Sequence, residues 1–426
     1  MKLHAIVMAM PRQVVKMTKL EQMLKYVSEH NDFYKKRIKE YGISNPLDIT
    51  QWPVLTREEL QENRYNMFSD GYESKYFFQQ LHRQTSSGSS GIPINVYWDF
   101  NNLYASNLSL WRKRKKYYSI KPNDKYVIFN LFFFDSDITQ EESLYYDKSI
   151  PNVMLVNISL VHKNDKYTEL LDIIEKYQPI WLYIQPYILS RIIDAYQENN
   201  MSPPNTIKYI ELYGEMVTPS LIERASSIFK VPIANMYGSE EMNGIAYECQ
   251  NNHLHVLEDN VLVECLYNEN VVSFGEGESI ITNLNNYAMP LIRYNQGDII
   301  SISKLKKICN YDKNTVVINS IKGRKYDEIE LKNGYVINTF LLQEIIAEVN
   351  NQCNDLISAY RYIYIKSENI LKCIISVKNN NWYNSVKKMI NNVYKCKINS
   401  AELVFQIEQE WSMHNFEKKY KILEKI

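Results

Sequence analysis

The chain lacks several features that would place it in a special class of protein. Its 426 residues include 49 Lys plus Arg and 49 Asp plus Glu, so no excess of charge attracts nucleic acid or an anionic membrane. Its 6 cysteines show no paired spacing, which argues against a disulfide scaffold and favours a reducing cytoplasm. The apolar stretch from Leu3 to Met10 is short and has no small-residue cleavage site, so neither a signal peptide nor a membrane-spanning helix is predicted.

With 45% hydrophobic and 23% charged residues, the composition is that of a globular protein long enough for two or three domains. The expected partner is a small molecule or one protein.

The most unusual stretch is a run of small and hydroxyl residues that ends in Ile92-Pro93. Such residues bury almost no apolar surface, but the glycines allow successive backbone N–H groups to point at one place, as a phosphate requires. The alternative is a flexible linker, but a strand-like segment, Ile94 to Trp98, follows at once. No Lys follows the second glycine, so the nucleoside-triphosphatase loop is excluded. We predict a phosphate loop formed by Ser86, Ser87, Gly88, Ser89, Ser90 and Gly91.

Helical signals surround this loop. Apolar residues at helical spacing predict one entry helix over Met17 to Tyr41. Thr56 can cap a short acidic helix that begins at Arg57, and Asp99 can cap a helix from Phe100 to Tyr118. The basic end of that second helix, 112–116, is interpreted as a solvated helix end that the helix dipole favours.

Apolar runs then alternate with helical patterns. The pattern predicts βαβ units and a largely parallel sheet covered on both faces, with a ligand at the carboxyl ends of the strands. The predicted strands are 126–134, 153–158, 180–184, 207–212 and 231–236, and the predicted helices are 165–177, 186–198 and 219–229.

Two predicted strands run into glycine turns that carry an acid, Tyr213 to Met216 and Tyr237 to Glu241. They are either ordinary βα turns or parts of a nucleotide site, with an aromatic ring for a base and a carboxylate for Mg²⁺. From His253 onward, strands at 253–264, 271–273 and 279–283 predict a β-rich subdomain. Farther along, Asp298 can accept hydrogen bonds from a ribose diol, or Gly297-Asp298 can be a hairpin turn with no ligand.

Four motifs in one order carry a resemblance to a known family. They are SSGSSGIP at 86–93, YGSEE at 237–241, RYNQGD at 293–298 and KGRKYD at 322–327. The chain resembles adenylate-forming enzymes from about residue 80 to its end, and within them the phenylacetate-CoA ligase and CapK-like branch.

The resemblance implies a fold, an activity and a set of residue roles. The fold is α/β, with an ATP- and acyl-binding domain over 1–325, a hinge near 326–328 and a small mobile α+β domain over 328–426. The activity is formation of an acyl-adenylate from ATP and a carboxylic acid, followed by transfer to a thiol such as coenzyme A. The implied roles are phosphate binding by Ser86 to Gly91, adenine and ribose binding by Gly214, Glu215, Tyr237, Gly238 and Asp298, Mg²⁺ binding by Glu241, assistance by Arg324 and the hinge at Asp327.

The sequence departs from the family pattern at three places. The usual phosphate-loop lysine position is Ile92, and Glu240 stands where a threonine precedes the Mg²⁺ carboxylate, which adds negative charge beside the triphosphate. Near the end, 416–421 resembles the Gly-Lys tail motif with Lys418 in place of the glycine. Lys419 is therefore the candidate adenylation lysine, and a solvated basic tail is the alternative.

A zinc site is a further implication of the resemblance. Cys249, His253, His255 and Cys309 lie where some relatives carry structural zinc, but a partner position near Cys309 is Tyr311. A closed site needs four ligands. Two buried thiols with surface histidines are therefore the favoured interpretation, with Cys249, His255 and Cys309 retained as candidate zinc ligands.

The expected substrate is a small carboxylic acid, with an aromatic acid as one option, and Tyr126 to Asp135 and Tyr183 to Tyr187 are the expected pocket wall. Alternatives are transfer to an amine or hydroxyl acceptor, an enzyme that stops at adenylation, and a nucleotide-binding pseudoenzyme that serves as an interaction subunit. A homodimer is a further expectation; nucleic acid and membrane partners are not expected.

Overall fold

The structure, a computed structural model, describes residues 17–86, 94–130, 144–145, 152–158, 161, 166–332, 334–353, 356–398, 403–409 and 423–426. The helices of these ranges are α1 (Lys19–His30), α2 (Asp32–Glu40), α3 (Arg57–Asn63), α4 (Tyr72–Phe77), α5 (Phe100–Tyr118), α6 (Tyr167–Tyr177), α7 (Pro186–Glu198), α8 (Pro219–Phe229), α9 (Thr339–Gln352) and α10 (Tyr383–Lys397). No helix among these residues is long and apolar enough to cross a membrane.

The strands form one large sheet and three small ones. They are β1 (His82–Thr85), β2 (Asn95–Trp98), β3 (Tyr126–Asn130), β4 (Leu144–Tyr145), β5 (Val153–Asn157), β6 (Trp181–Ile184), β7 (Tyr209–Tyr213), β8 (Ile233–Ser239), β9 (Asn243–Glu248), β10 (Leu254–Val256), β11 (Val261–Tyr267), β12 (Asn270–Val272), β13 (Gly275–Asn283), β14 (Tyr294–Lys304), β15 (Val316–Arg324), β16 (Ile329–Glu330), β17 (Val336–Ile337), β18 (Ile357–Ile365), β19 (Ile370–Val377), β20 (Val404–Gln409) and β21 (Leu423–Lys425).

The large sheet joins the predicted parallel strands to the predicted β-rich subdomain. It has 13 strands in the order β12-β11-β13-β14-β15-β10-β9-β8-β7-β6-β3-β5-β4. Strands β5, β3, β6, β7 and β8 run parallel, and the pairs from β8–β9 outward to β12 are antiparallel. The α/β prediction is confirmed, although the antiparallel strands extend the same sheet. The carboxyl ends of β7 and β8 lie side by side, because Tyr213 pairs with Met236.

The described residues of 329–426 share a hydrophobic core of their own and are called the carboxyl-terminal unit below, and the described residues of 17–324 are called the amino-terminal unit. Leu342, Ile346, Tyr362 and Val386 are among the buried residues of that core. They join α9 and α10 to a 4-stranded sheet in the order β20-β19-β18-β21. Between the two units a short 3₁₀ turn spans Lys325–Asp327, where the hinge is predicted. The movement of the units as separate domains stays a prediction.

Local capping explains why several predicted helix starts are correct. The Asp99 carboxylate accepts from the N–H of Asn101, and Thr56 forms a capping box with Glu59. The single entry helix is wrong, because Asn31 adopts an extended conformation and caps α2 with its side chain. A polar cap residue inside a continuous apolar pattern thus divides one predicted helix into two.

Two other predictions about the chain are also wrong. The single strand over 253–264 is two strands, β10 and β11, that pair with different neighbours. The basic end of α5 is not simply solvated, because Arg114 is buried and donates two hydrogen bonds to the Glu211 carboxylate, at 2.8 and 2.6 Å. Tyr247 also donates to Glu211, so the buried charge is paired and hydrogen-bonded.

Candidate active site

The predicted phosphate loop connects two paired strands. β1 and β2 are antiparallel, and the N–H of Ser86 donates to the Ile94 carbonyl at 2.8 Å. The Ser86 hydroxyl accepts from the N–H of Ile94 at 2.8 Å and from Arg57 Nη2 at 3.3 Å. Residues 87–93 lie outside the described part of the chain. Residues 86 and 94 at the two ends of the loop are hydrogen-bonded to each other, and the choice between a phosphate loop and a linker stays a prediction.

Arg57 is a functional candidate that the sequence did not identify. It is the first residue of α3, and its guanidinium lies 3.8 Å from the Glu241 carboxylate as well as beside Ser86. The α3 start is held on the sheet, because the Leu55 N–H donates to the Arg293 carbonyl and the Leu55 carbonyl accepts from the Asn295 N–H, both at 2.9 Å, around the first residue of β14. Only the tertiary fold brings Arg57 to the carboxyl-end region of the sheet, so no local sequence signal reveals it.

Glu241 and Asp298 are both buried carboxylates, 4% and 8% exposed. Such groups are usually paired, because burial penalises an isolated charge. Asp298 accepts from the Tyr237 hydroxyl at 2.6 Å and from Gln296 Nε2 at 2.7 Å, and Arg324 Nε lies 3.4 Å away. Glu241 is paired with Arg57 as described above.

The structure excludes the hairpin-turn interpretation of Gly297-Asp298. Both residues lie within the 11-residue strand β14, where Asp298 pairs with Arg324 of β15. The register of this pair of strands brings the two side chains together. Burial lowers the pKa of Arg324, but the carboxylates of Asp298 and Glu241 outweigh it and raise the pKa. The Arg324 guanidinium therefore lies close enough to Asp298 and Glu241 to interact with the charge of both carboxylates.

The two predicted glycine turns lie beside this cluster. Gly214 follows β7 with a φ of +77°, a conformation that favours glycine, and Glu215 accepts from the Tyr187 N–H at 3.0 Å. The second stretch is not a βα turn, because β8 is followed directly by β9. A Cβ on Gly238 would lie 2.5 Å from the Asn243 carbonyl oxygen, so the close approach of β8 and β9 requires glycine.

Aromatic rings line the region that was predicted as the acyl pocket wall. Tyr183 and Tyr213 stack with their centroids 3.9 Å apart, and Tyr126 stacks on Trp181 at 4.3 Å. The Tyr213 hydroxyl donates to the Phe129 carbonyl at 2.7 Å. Of the predicted wall, residues 131–135 lie outside the described part of the chain.

Other predicted residues are placed as follows. Glu240 is exposed, and its neighbour Glu241 is buried. Asp327 ends the short 3₁₀ turn between the two units. Lys419 lies outside the described residues, as does the rest of 410–422.

A second cluster brings together Cys249, His253, His255 and Cys309. Their ligand atoms all lie within 4.8 Å of one another, and the two sulfur atoms are 3.7 Å apart. The prediction of surface histidines is wrong for His255, which is fully buried because β10 lies between β9 and β15. His253 completes a set of four, so the Tyr311 position is not needed.

The side chains of this cluster fit a tetrahedral zinc ion. Nδ1 of His255 lies 3.0 Å from the Asn314 carbonyl, which leaves Nε2 as the ligand atom. Nε2 of His255 and Nδ1 of His253 are buried and have no hydrogen-bond partner in the described structure. Burial raises the pKa of the Cys309 thiol, but His253 and the backbone of Tyr311 more than offset this and lower it to about 6. Two thiol and two imidazole groups suit Zn²⁺.

Comparisons with known proteins give the same fold. No protein-family model matches the chain. Over 335 residues the chain is 21% identical to a phenylacetate-coenzyme A ligase of Thermus thermophilus, covering 75% of this chain and 72% of the relative. A 2-hydroxyisobutyryl-CoA ligase in the postadenylation state with 2-HIB-AMP has a TM-score of 0.74 at 15% identity, covering 96% of this chain and 88% of that one.

The amide bond synthetase McbA from Marinactinospora thermotolerans has a TM-score of 0.54 at 11% identity, covering 78% of this chain and 65% of that one. These likenesses confirm the predicted resemblance to phenylacetate-CoA ligase and the fold of adenylate-forming enzymes.

The same 2-hydroxyisobutyryl-CoA ligase has been captured in several states. Its two postadenylation structures have TM-scores of 0.73 and 0.74 to this chain, whereas its open and thioesterification structures have 0.58 and 0.59. The chain as a whole therefore superposes better on the postadenylation structures of that ligase than on its open and thioesterification structures.

Proposed function

We propose that this protein is an ATP-dependent ligase that converts a small carboxylic acid into an acyl-adenylate, releases pyrophosphate and transfers the acyl group to a thiol such as coenzyme A. The observation that carries the proposal is the convergence of Arg57, Glu241, Asp298 and Arg324 beside the predicted phosphate loop. Buried charges of both signs next to the start of a Ser/Gly-rich segment suit a metal-bound polyphosphate.

The adenosine part of ATP is assigned to the carboxyl ends of β7 and β8. Gly214 leaves space beside the chain for a flat base, Glu215 borders it, and Tyr237 with Gly238 forms the facing strand end. Asp298 would accept hydrogen bonds from the ribose hydroxyls in place of those it accepts from Tyr237 and Gln296. The buried Asp298 carboxylate would then exchange protein donors for ribose donors and would keep its hydrogen bonds.

The phosphate part is assigned to the loop that starts at Ser86 and to Arg57. No lysine occupies the loop, so the Arg57 guanidinium is the fixed cation near it. Glu241 would hold Mg²⁺, which neutralises charge on the phosphate oxygens when bound. Arg57 lies within ion-pair distance of that carboxylate and would hold it in place in the absence of the metal. Together these groups stabilise negative charge that spreads over the phosphoryl oxygens when the substrate carboxylate attacks the α-phosphorus.

The acid is assigned to the aromatic region around Tyr183 and Tyr213. Flat stacked rings with few free polar groups suit an aromatic or small apolar acid. Lys419 is the proposed cation for the adenylation step, and the carboxyl-terminal unit is proposed to rotate about Asp327 between the two half-reactions. The separate core of that unit supports its movement as one body.

The cysteine and histidine cluster is assigned to a structural Zn²⁺. Cys249, His253, His255 and Cys309 would hold it and tie β9 and β10 to the 305–315 connection. A reducing cytoplasm is proposed as the location, because all six cysteines are free. A homodimer remains the expected assembly.

A screen of carboxylic acids tests this function. The protein is incubated with ATP, Mg²⁺ and each acid, with and without coenzyme A, and pyrophosphate is measured. Acid-dependent pyrophosphate with acyl-AMP in the product is expected, and acyl-CoA when coenzyme A is present. Acyl-AMP that is consumed only by an amine or hydroxyl compound would favour the alternative acceptors. ATP binding without pyrophosphate release for any acid would favour the pseudoenzyme.

A further inference from the structure

The boundary between the two units contains a carboxylate with three cationic partners. Asp194 lies on α7, and its side chain is 4% exposed. Its oxygens accept from Arg224 at 2.7 Å, from Lys378 at 2.8 Å and from Arg191 at 3.3 Å. Arg191 and Arg224 belong to the amino-terminal unit, on α7 and α8. Lys378 follows β19 in the carboxyl-terminal unit, so one ion pair crosses the boundary.

The ion pair between Asp194 and Lys378 can break with only a small loss of free energy. A buried carboxylate that loses its sole partner is strongly destabilised, because an uncompensated charge remains. Asp194 keeps both arginines when Lys378 leaves. The Lys378 side chain is 26% exposed already, so its ammonium can return to water. Neither charge is left buried and unpaired in the separated state.

The boundary near this pair contains a cavity. A cavity of about 150 Å³ lies between the units, with Arg224 on one side and Asn350 on the other. Apolar contact therefore does not fill the boundary here. By contrast, the base of Lys378 is fixed, because its N–H donates to the Leu356 carbonyl within its own unit. The position of the Lys378 ammonium therefore depends on the position of the whole carboxyl-terminal unit.

We propose that Lys378 is a positioning residue, which holds the carboxyl-terminal unit in the arrangement for adenylation through a reversible ion pair with Asp194. The proposal rests on the proposed function, since it assigns this arrangement to one of two half-reactions. The similarity to the postadenylation state of the 2-hydroxyisobutyryl-CoA ligase supports this assignment. Loss of the ion pair shifts the population toward the rotated arrangement and slows the first half-reaction without slowing the second.

The first test measures the arrangement without any catalysis. Spin labels are placed on Cys396, which is exposed on α10, and on a Ser226→Cys substitution, which is exposed on α8, with Cys353→Ser to remove a partly accessible thiol. Lys378→Met keeps the aliphatic length and removes the charge, and Lys378→Arg restores the charge. The matched control is Lys372→Met, on the same sheet, where the lysine pairs with Glu408 inside its own unit at 2.8 Å.

In Lys378→Met we expect a second distance between the two labels. The population with that distance should be roughly five- to tenfold larger than in the parent protein. Lys378→Arg and Lys372→Met should keep the parent distribution. Equal distributions for Lys378→Met and Lys372→Met would overturn the proposal.

The second test uses an acid that the parent protein adenylates. Lys378→Met should lower the rate of pyrophosphate release roughly five- to tenfold, and transfer from supplied acyl-adenylate should stay at the parent rate or rise. An equal fall in both steps would indicate a structural role and overturn the proposal. A parent protein that adenylates no acid would instead refute the proposed function, and the distance measurement would still decide the role of Lys378.

Discussion

The charged residues of the site differ in how far the sequence could predict them. Glu241, Asp298 and Arg324 stand in short motifs, so their positions beside the proposed nucleotide site could be predicted from the motif order. Arg57 has no motif, because its place depends on the backbone pairing of Leu55 with β14 far along the chain. Long-range pairing of this kind leaves no local pattern in a single sequence.

Arg57 gives the first prediction. Arg57→Ala should lower kcat/KM for ATP in adenylation by roughly 10- to 100-fold, since hydrogen bonds to charged groups contribute about 1.5–3 kcal/mol. Arg57→Lys should recover part of the loss, because a charge returns without the hydrogen bond that the Arg57 guanidinium donates to Ser86. Steady-state pyrophosphate release over a range of ATP concentrations measures the effect.

Arg64, exposed and stacked on Tyr65 just after α3, provides the control. Arg64→Ala should leave the ATP dependence unchanged. Similar small effects from Arg57→Ala and Arg64→Ala would contradict the role of Arg57.

At the scale of helices and strands, the sequence predicts best where a local signal marks an end. The predicted bounds of α5, α7 and α8 agree with the structure, because Asp99 or a proline marks each start. Prediction is poorer for 253–264, where the apolar pattern continues through the connection between β10 and β11. That region also contains His253 and His255 of the proposed zinc site, and the burial of His255 follows from sheet pairing and not from local pattern.

The proposed zinc site gives the second prediction. The purified protein should contain one Zn²⁺ per chain, and Cys309→Ser should lose it and lower the free energy of unfolding by roughly 3 kcal/mol or more. Elemental analysis and thermal unfolding provide the two readouts. The control is Cys396→Ser, an exposed cysteine on α10 outside the cluster. A metal-free parent protein as stable as a zinc-loaded one would contradict the assignment.

At the scale of the whole molecule, the alternation of strands and helices is enough to predict an α/β fold. It does not predict that the antiparallel strands continue the same 13-stranded sheet, because the pairing of β8 with β9 depends on the glycine at position 238. The sequence pattern also does not predict the relative position of the two units. It depends on contacts such as Lys378 with Asp194, which join residues far apart in the chain.

The separation of the two half-reactions gives the third prediction. Lys419→Ala should slow adenylation by about a hundredfold or more, equivalent to about 2.7 kcal/mol, because its charge is needed only in that transition state. Supplied acyl-adenylate should bypass the loss. Lys418→Ala and Lys421→Ala should have little effect, and equal small effects from all three substitutions would favour a solvated basic tail.

The central claim is that the Glu241 carboxylate serves adenylation chemistry, and isotope exchange between pyrophosphate and ATP tests it most directly. With a reactive acid, the parent protein and Glu276→Ala, an exposed glutamate paired with Lys322, should exchange at the same rate. Glu241→Ala should abolish exchange because it removes the cation's anchor, and circular dichroism should show that the variant is still folded, although the loss of a buried partner of Arg57 should lower its stability. Undiminished exchange in Glu241→Ala would contradict the account.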